Sequence, residues 1–210
     1  MARITDAKCR LCRREGVQLY LKGLRCYTEK CAVRRRETPP GAVRRRGRRR
    51  MSDYGTRLRE KQKLKRTYGV LEKQFRRVFA EAKRQKGNTG ENLLILLERR
   101  LDNVVYAMGF GSSRNMARQM IRHGHVRLNG KKATIASMLV SEGAKITIAD
   151  KDKSKNLAKA GLEMSRGIRS TPSWVSVNDD GLEGSVLALP KREEVPVDIN
   201  ELFVVEVCSR

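Results

Sequence analysis

Apolar positions recur at helical spacing through the middle of the chain and at every second residue beyond it. Leu71, Phe75, Val78, Phe79 and Ala82 fall on one helical face, predicting an amphipathic helix that Gly87-Asn88-Thr89-Gly90 ends. Leu93, Leu94, Leu97, Leu101, Val104, Val105 and Met108 form a second stripe, read as a single helix stopped by Gly109. Ahead of both, Ser52-Asp53 reads as the N-cap of a basic helix reaching about Arg66. After them, Ser112 or Ser113 caps a short helix that ends at Gly124 and buries Met116, Ala117, Met120 and Ile121. Then the period changes to two. His125–Asn129 alternates and runs into Asn129-Gly130, a strong hairpin signal, with Lys131-Lys132 opening the return strand. Alternation at Lys145–Ala149, Trp174–Val177, Val186–Leu189 and Leu202–Val207 predicts further strands, and Leu157, Ala158 and Leu162 hint at one more helix. Helices first, then a small, mostly antiparallel sheet, make the fold class α+β.

The first fifty residues follow neither period. Four cysteines are followed by Thr38-Pro39-Pro40-Gly41 and then by Arg44-Arg45-Arg46-Gly47-Arg48-Arg49-Arg50. Turn chemistry and dense like charge cannot bury enough apolar surface to fold alone, so this stretch is expected to need a staple and a partner. Charge says what kind of partner. The chain has 47 Lys+Arg against 23 Asp+Glu, a net charge of +24, and a sequence pI near 10.5. Self-repulsion of that size opposes compaction unless a polyanion neutralises it. Nucleic acid and anionic lipid are the available polyanions. No apolar run is long enough to span a bilayer, and the N-terminus has no signal-peptide pattern, so the expectation is a cytoplasmic nucleic-acid binder without membrane contact. Net charge is +17 over residues 1–66, +12 over 67–170 and −5 over 171–210. The nucleic-acid surface should be weighted towards the N-terminal third, and the acidic last forty residues should point elsewhere, towards a basic partner.

Cys9, Cys12, Cys26 and Cys31 are spaced as two close pairs separated by a loop. Such spacing suits tetrahedral thiolate coordination, each pair supplying two ligands from a tight turn. Lys8, Arg10, Arg13 and Arg25 would favour the thiolate forms. All four donors are protein sulfurs and none is left for water, which reads as structural zinc. An iron–sulfur cluster takes the same four donors, and disulfides or unliganded thiols are the other readings; spacing does not separate them. Cys208 stands apart as a small, partly buried apolar residue.

Candidate phosphate contacts fall in three groups. Arg13 and Arg14 lie beside the first cysteine pair and lead towards the run Arg44, Arg45, Arg46, Arg48, Arg49 and Arg50. The basic helix offers Tyr54, Arg57, Lys61, Lys63, Lys65 and Arg66. Arg114, Arg118 and Arg122, at intervals of four, are expected to form one outward stripe, continued by His123, His125, Lys131 and Lys132. Aromatic stacking platforms are few and no zinc-finger recognition helix follows the cysteines. A dispersed basic surface suits the shape and phosphate geometry of a folded RNA better than DNA sequence readout. No nucleophile–base pair, phosphate-cradling glycine loop or open metal site suggests an enzyme. The competing readings are an RNA-modifying enzyme anchored by the Ser113–Gly130 module and a zinc-dependent transcription factor.

Particular motifs carry a resemblance to a known family. They are Cys9-Arg10-Leu11-Cys12-Arg13-Arg14-Glu15-Gly16, Pro39-Pro40-Gly41, Ser52-Asp53-Tyr54-Gly55 with Leu58 to Lys63, Glu98 to Val105, and Ser113–Gly130. The chain resembles, nearly end to end, the bacterial-type small ribosomal subunit protein four family, in its cysteine-retaining form. The resemblance implies a metal-binding arm over 1–51, a helical domain over 52–97 completed by 196–210, and an inserted α+β domain over 98–195. Within the last, the RNA-binding module occupies about 99–160. It implies a structural role without catalysis: binding small-subunit ribosomal RNA at a helical junction of its 5′ domain, early in assembly. Neighbouring small-subunit proteins, and messenger RNA where it enters its channel, are the other implied partners; a role in accuracy, repression of the protein's own operon and a monomeric state complete the expectation. The family's arm differs after Gly41, where Ala42-Val43 here leads straight into the arginines.

Overall fold

A computed structural model describes residues 4–36, 38–41, 51–178 and 182–209. The chain forms two compact units, Met1–Leu93 with Val197–Arg210 and Leu94–Pro196, so the second is inserted into the first. No described helix is long and apolar enough to cross a membrane.

The first unit begins with α1 (Lys8–Glu15), a 3-10 turn (Gly23–Cys26) and α2 (Ala32–Arg35). Among the described residues, their buried core is Leu11, Cys12, Leu19 and Leu21, with Ile4 and Val33 packed against it. Four apolar side chains are few for an independent fold. The helices α3 (Asp53–Thr67) and α4 (Glu72–Arg84) follow, with α5 (Thr89–Glu98) starting here and continuing into the second unit. Ser52 caps α3 as expected, its hydroxyl accepting from the Gly55 N–H at 3.2 Å. Phe75, Phe79 and Ala82 form the buried face of α4, and Leu64, Tyr68 and Val70 are buried nearby in sequence.

The last element corrects a prediction. Leu202–Val207 reads as an alternating strand, but Glu201–Ser209 is a helix, α9, packed on α3. The side chain of Asn200 accepts from the Phe203 N–H at 3.4 Å, and its own N–H donates to Glu60 of α3 at 3.2 Å. A capping residue and a tertiary partner override the β-propensity of a valine-rich run.

In the second unit, the expected single helix over Leu93–Met108 is two. The chain is extended at Arg100, which pairs with Leu139, and α6 (Leu101–Ala107) starts afresh. Val140 N–H donates to Arg99 O at 2.8 Å and Leu101 N–H to Met138 O at 2.8 Å, so the loop ahead of Ala144 takes the place of intrahelical partners. Helix α7 (Arg114–Arg122) packs on α6, capped by Ser113, whose hydroxyl accepts from Met116 N–H. Five strands follow: β1 (Val126–Leu128), β2 (Lys131–Lys132), β3 (Lys145–Ile148), β4 (Val175–Val177) and β5 (Glu183–Val186). They form one antiparallel sheet in the order β2-β1-β3-β5-β4. The strand expected over Val186–Leu189 lies earlier, and Leu187 is exposed past its end. Asn129 and Gly130 both have positive φ, 49° and 78°, the pair of values a two-residue hairpin turn demands.

The helix hinted at by Leu157, Ala158 and Leu162 is α8 (Asp152–Ser165). Its Gly161 lies against the Gly109–Gly111 turn so closely that a Cβ would sit 2.2 Å from the Phe110 carbonyl oxygen. Gly161→Ala is expected to destabilise this unit by about 1–3 kcal/mol, because backbone rather than a flexible side chain must yield. A urea midpoint unchanged from wild type would count against so close a packing.

Candidate metal centre and nucleic-acid interface

Cys9 and Cys12 lie three residues apart on α1, on one face. Cys26 closes the 3-10 turn and Cys31 is the N-cap of α2. All four line one small pocket, beside Leu21, Val33 and the stem of Lys22. They are free thiols, and among the described residues no set of His, Cys, Asp and Glu stands in metal-coordinating geometry. The pocket nonetheless carries donors aimed at sulfur. Lys22 N–H points at Cys26 Sγ and Gln18 Nε2 at Cys31 Sγ, each at 3.4 Å, and the Leu19 backbone hydrogen-bonds Cys12. Burial pushes the Cys12 thiol up to about 11, and Cys26, Cys9 and Cys31 add to the rise while the Leu19 hydrogen bond opposes it. Cys26 is likewise raised by burial. Burial in this shared space thus resists ionisation of Cys12 and Cys26.

The arm is fastened to α3 by a carboxylate. Glu15, whose side chain is fully buried, ends α1 and pairs with Arg59 at 3.3 Å and with Arg66. Burial raises its pKa, against the pull of both guanidiniums. Arg13, a predicted phosphate contact, donates instead to the carbonyl oxygens of Thr38 (2.8 and 3.1 Å) and Pro39 (3.4 Å); Arg14 is exposed.

The expectation that α3 presents a basic face needs correcting. Lys61 is 6% exposed and pairs with Glu72 at 2.6 Å, over the Phe75 ring. Lys65 reaches the same carboxylate at 3.2 Å, Lys63 pairs with Glu60 at 2.6 Å, and Arg57 pairs with Glu206 above Phe203. Burial alone would raise Glu72, but hydrogen bonds from Lys61, Arg76 and Lys65 outweigh it and bring the carboxyl to about 2. Arg57, Lys61, Lys63, Lys65 and Arg66 are therefore ion-paired within the chain. Their partners come from α1, α4 and α9 as well as α3, elements whose placement beside the helix no periodicity reveals. Tyr54 is exposed. Arg44, Arg45, Arg46, Arg48, Arg49 and Arg50 lie outside the described residues.

The arginine stripe on α7 also divides. Arg118 grips Asp102 through Nε (3.0 Å) and Nη2 (2.6 Å), and the buried Arg100 holds the same carboxylate at 2.9 and 3.1 Å. Arg114 donates to Asn103 at 2.7 Å and lies over the Tyr106 ring, which Arg169 also covers at 3.9 Å. Intervals of four do put these arginines on one face, but α6 is packed along its first two turns. Only Arg122 is exposed.

Beyond α7 the basic residues do face solvent. His123, Lys131 and Lys132 are exposed, and His125 Nδ1 lies 2.9 Å from Ser154 Oγ with the two imidazoles 6.1 Å apart. Burial, His123 and Lys151 hold His125 below the usual histidine range. Arg127, absent from the sequence candidates, pairs opposite Lys132 and is exposed beside it; its place on the polar face of an alternating strand was the available signal. Arg122, His123, Arg127, Lys131 and Lys132 thus form an exposed basic cluster on the helix end and hairpin.

Cations exposed together in this way suit a polyanionic partner, and comparison with known proteins bears on which class of module carries them. Residues 3–98 match the family described as ribosomal protein S4/S9 N-terminal domain, and residues 99–146 match the S4 domain. The chain is 55% identical over 210 residues to small ribosomal subunit protein uS4A of Alkaliphilus oremlandii, all of both chains being covered. It is 52% identical to uS4 of Thermoanaerobacter sp. (strain X514) and 51% identical over 212 residues to uS4 of Citrifermentans bemidjiense, again at full coverage. The chain belongs to the uS4 family of small ribosomal subunit proteins.

Proposed function

We propose that the chain binds small-subunit ribosomal RNA as a structural constituent of the small ribosomal subunit in the cytoplasm, and has no enzymatic activity. The observation that carries this reading is the exposed cluster Arg122–Lys132, within a chain of net charge +24 that belongs to a ribosomal family. The hairpin cluster and the arm engage phosphates at a helical junction of the RNA's 5′ domain, promoting assembly. Neighbouring small-subunit proteins and messenger RNA near its point of entrance are further partners of a monomeric chain. Neutralising six to ten phosphates makes affinity fall by roughly three to five decades between about 50 and 200 mM salt, on duplex figures. A salt titration of binding to a small-subunit RNA transcript checks this, and a flat profile overturns it.

Cys9, Cys12, Cys26 and Cys31 fit a structural zinc ion, supported by their common pocket and by the N–H donors aimed at sulfur. Bound there, the ion would neutralise the thiolates and cross-link α1 to the 3-10 turn and α2. Mass spectrometry of the purified chain should find one zinc per molecule; iron with visible absorbance would instead mean a cluster.

A further inference from the structure

The exposed face of α4 is a row of cations that the known parts of this chain leave unused. Lys73, Arg76, Arg77, Lys83 and Arg84 are all exposed, and with Ala80 they occupy about a third of the helix circumference, opposite Phe75, Phe79 and Ala82. The only carboxylates on the helix, Glu72 and Glu81, are paired to Arg76 and Arg84 at 3.1 and 3.3 Å within the helix itself. Among the described residues, Lys73, Arg77 and Lys83 have no ion pair. The contrast is with α3, whose cations are consumed internally. Of the two basic helices in this unit, the one richer in charge by sequence is the stapled one.

We infer that the exposed face of α4 is a second RNA-binding surface, which seats one strand of a helical RNA by its phosphates without reading bases. From Lys73 to Arg84 the row is about 16 Å long, enough to face several successive phosphates. Ala80, small and central, lets a backbone approach the helix closely. A protein partner fits less well. Protein interfaces centre on a desolvated apolar or aromatic core, and this face offers no large apolar or aromatic side chain. For the same reason it lacks platforms on which unpaired bases would stack. This inference rests on the RNA-binding reading above and adds a surface to it.

The test compares the full-length, metal-replete chain with the variant Lys73→Gln/Arg77→Gln/Lys83→Gln. A charge-matched control outside the RNA-binding module is Arg166→Gln/Lys191→Gln/Arg192→Gln. Glutamine keeps helix propensity, and circular dichroism verifies the helix content. Losing about three phosphate contacts makes the log–log salt slope shallower by roughly 2.7, so the variant loses about forty-fold less affinity than wild type between about 50 and 200 mM salt. A change in the α4 variant well beyond that in the control supports the inference. Equal changes in both, or a variant matching a steep wild-type profile, overturn it while leaving the RNA-binding reading standing. A flat wild-type profile removes both. A photo-crosslinking residue at Ala80 then identifies the neighbour in assembled subunits: an RNA adduct supports the surface, and an adduct to protein alone overturns it.

Discussion

Asp102→Ala is expected to destabilise the second unit by about 3–5 kcal/mol, because it strands the buried Arg100 guanidinium and removes the carboxylate that Arg118 also grips. Arg100 is 2% exposed and the side chain of Arg118 12%, and both pair with this carboxylate. Trp174, the single tryptophan, is buried in the same unit, so its fluorescence follows this unfolding. For a unit of about a hundred residues the loss should lower Tm by more than about 10 °C. Arg118→Ala should cost less, since Asp102 keeps the bidentate Arg100, and its effect on RNA binding should follow from a loosened α6–α7 contact. An Asp102→Ala protein within about 1 kcal/mol of wild type would mean the network is solvated rather than structural.

Removing one thiol should have an effect of comparable size, confined to the arm. If zinc is bound as proposed, Cys12→Ser is expected to abolish its stoichiometric binding and leave the arm with only a four-residue core. Structural zinc contributes on the order of 10–16 kcal/mol of apparent binding energy in small domains, far more than those apolar contacts supply. Limited proteolysis should cut the arm at least about tenfold faster, while the Trp174 transition stays where it was. Chelation of wild-type protein should reproduce the result. A mutant with full metal content and full protection would rule out Cys12 as a ligand.

The sequence made local structure legible wherever one face of one element carried the signal. The Ser52 and Ser113 caps, the buried faces of α4 and α7 and the Asn129-Gly130 turn all appear as read. It misled where a second element supplies the partner. Leu202–Val207 alternates like a strand until α3 gives it a surface to pack on as a helix. Leu93–Met108 is one stripe until the Ala136–Val140 loop interrupts it at Arg100. The same rule governs the site. The four cysteines come to line one pocket, because each pair is local. The roles of Lys61 and Arg118 were not legible, because Glu72 and Asp102 approach them from other helices. Counting positive charge located the basic segments, but not which of their cations remain exposed.

The placement of α9 has a consequence for synthesis. The inserted unit is one continuous stretch, Leu94–Pro196, whereas the first unit awaits α9 to supply Glu206 to Arg57 and the buried Val204. On a translating ribosome the later-coded unit therefore has everything it needs to close before the earlier-coded one. Until α9 has been made, the N-terminal part of the first unit is without Val204 and Glu206.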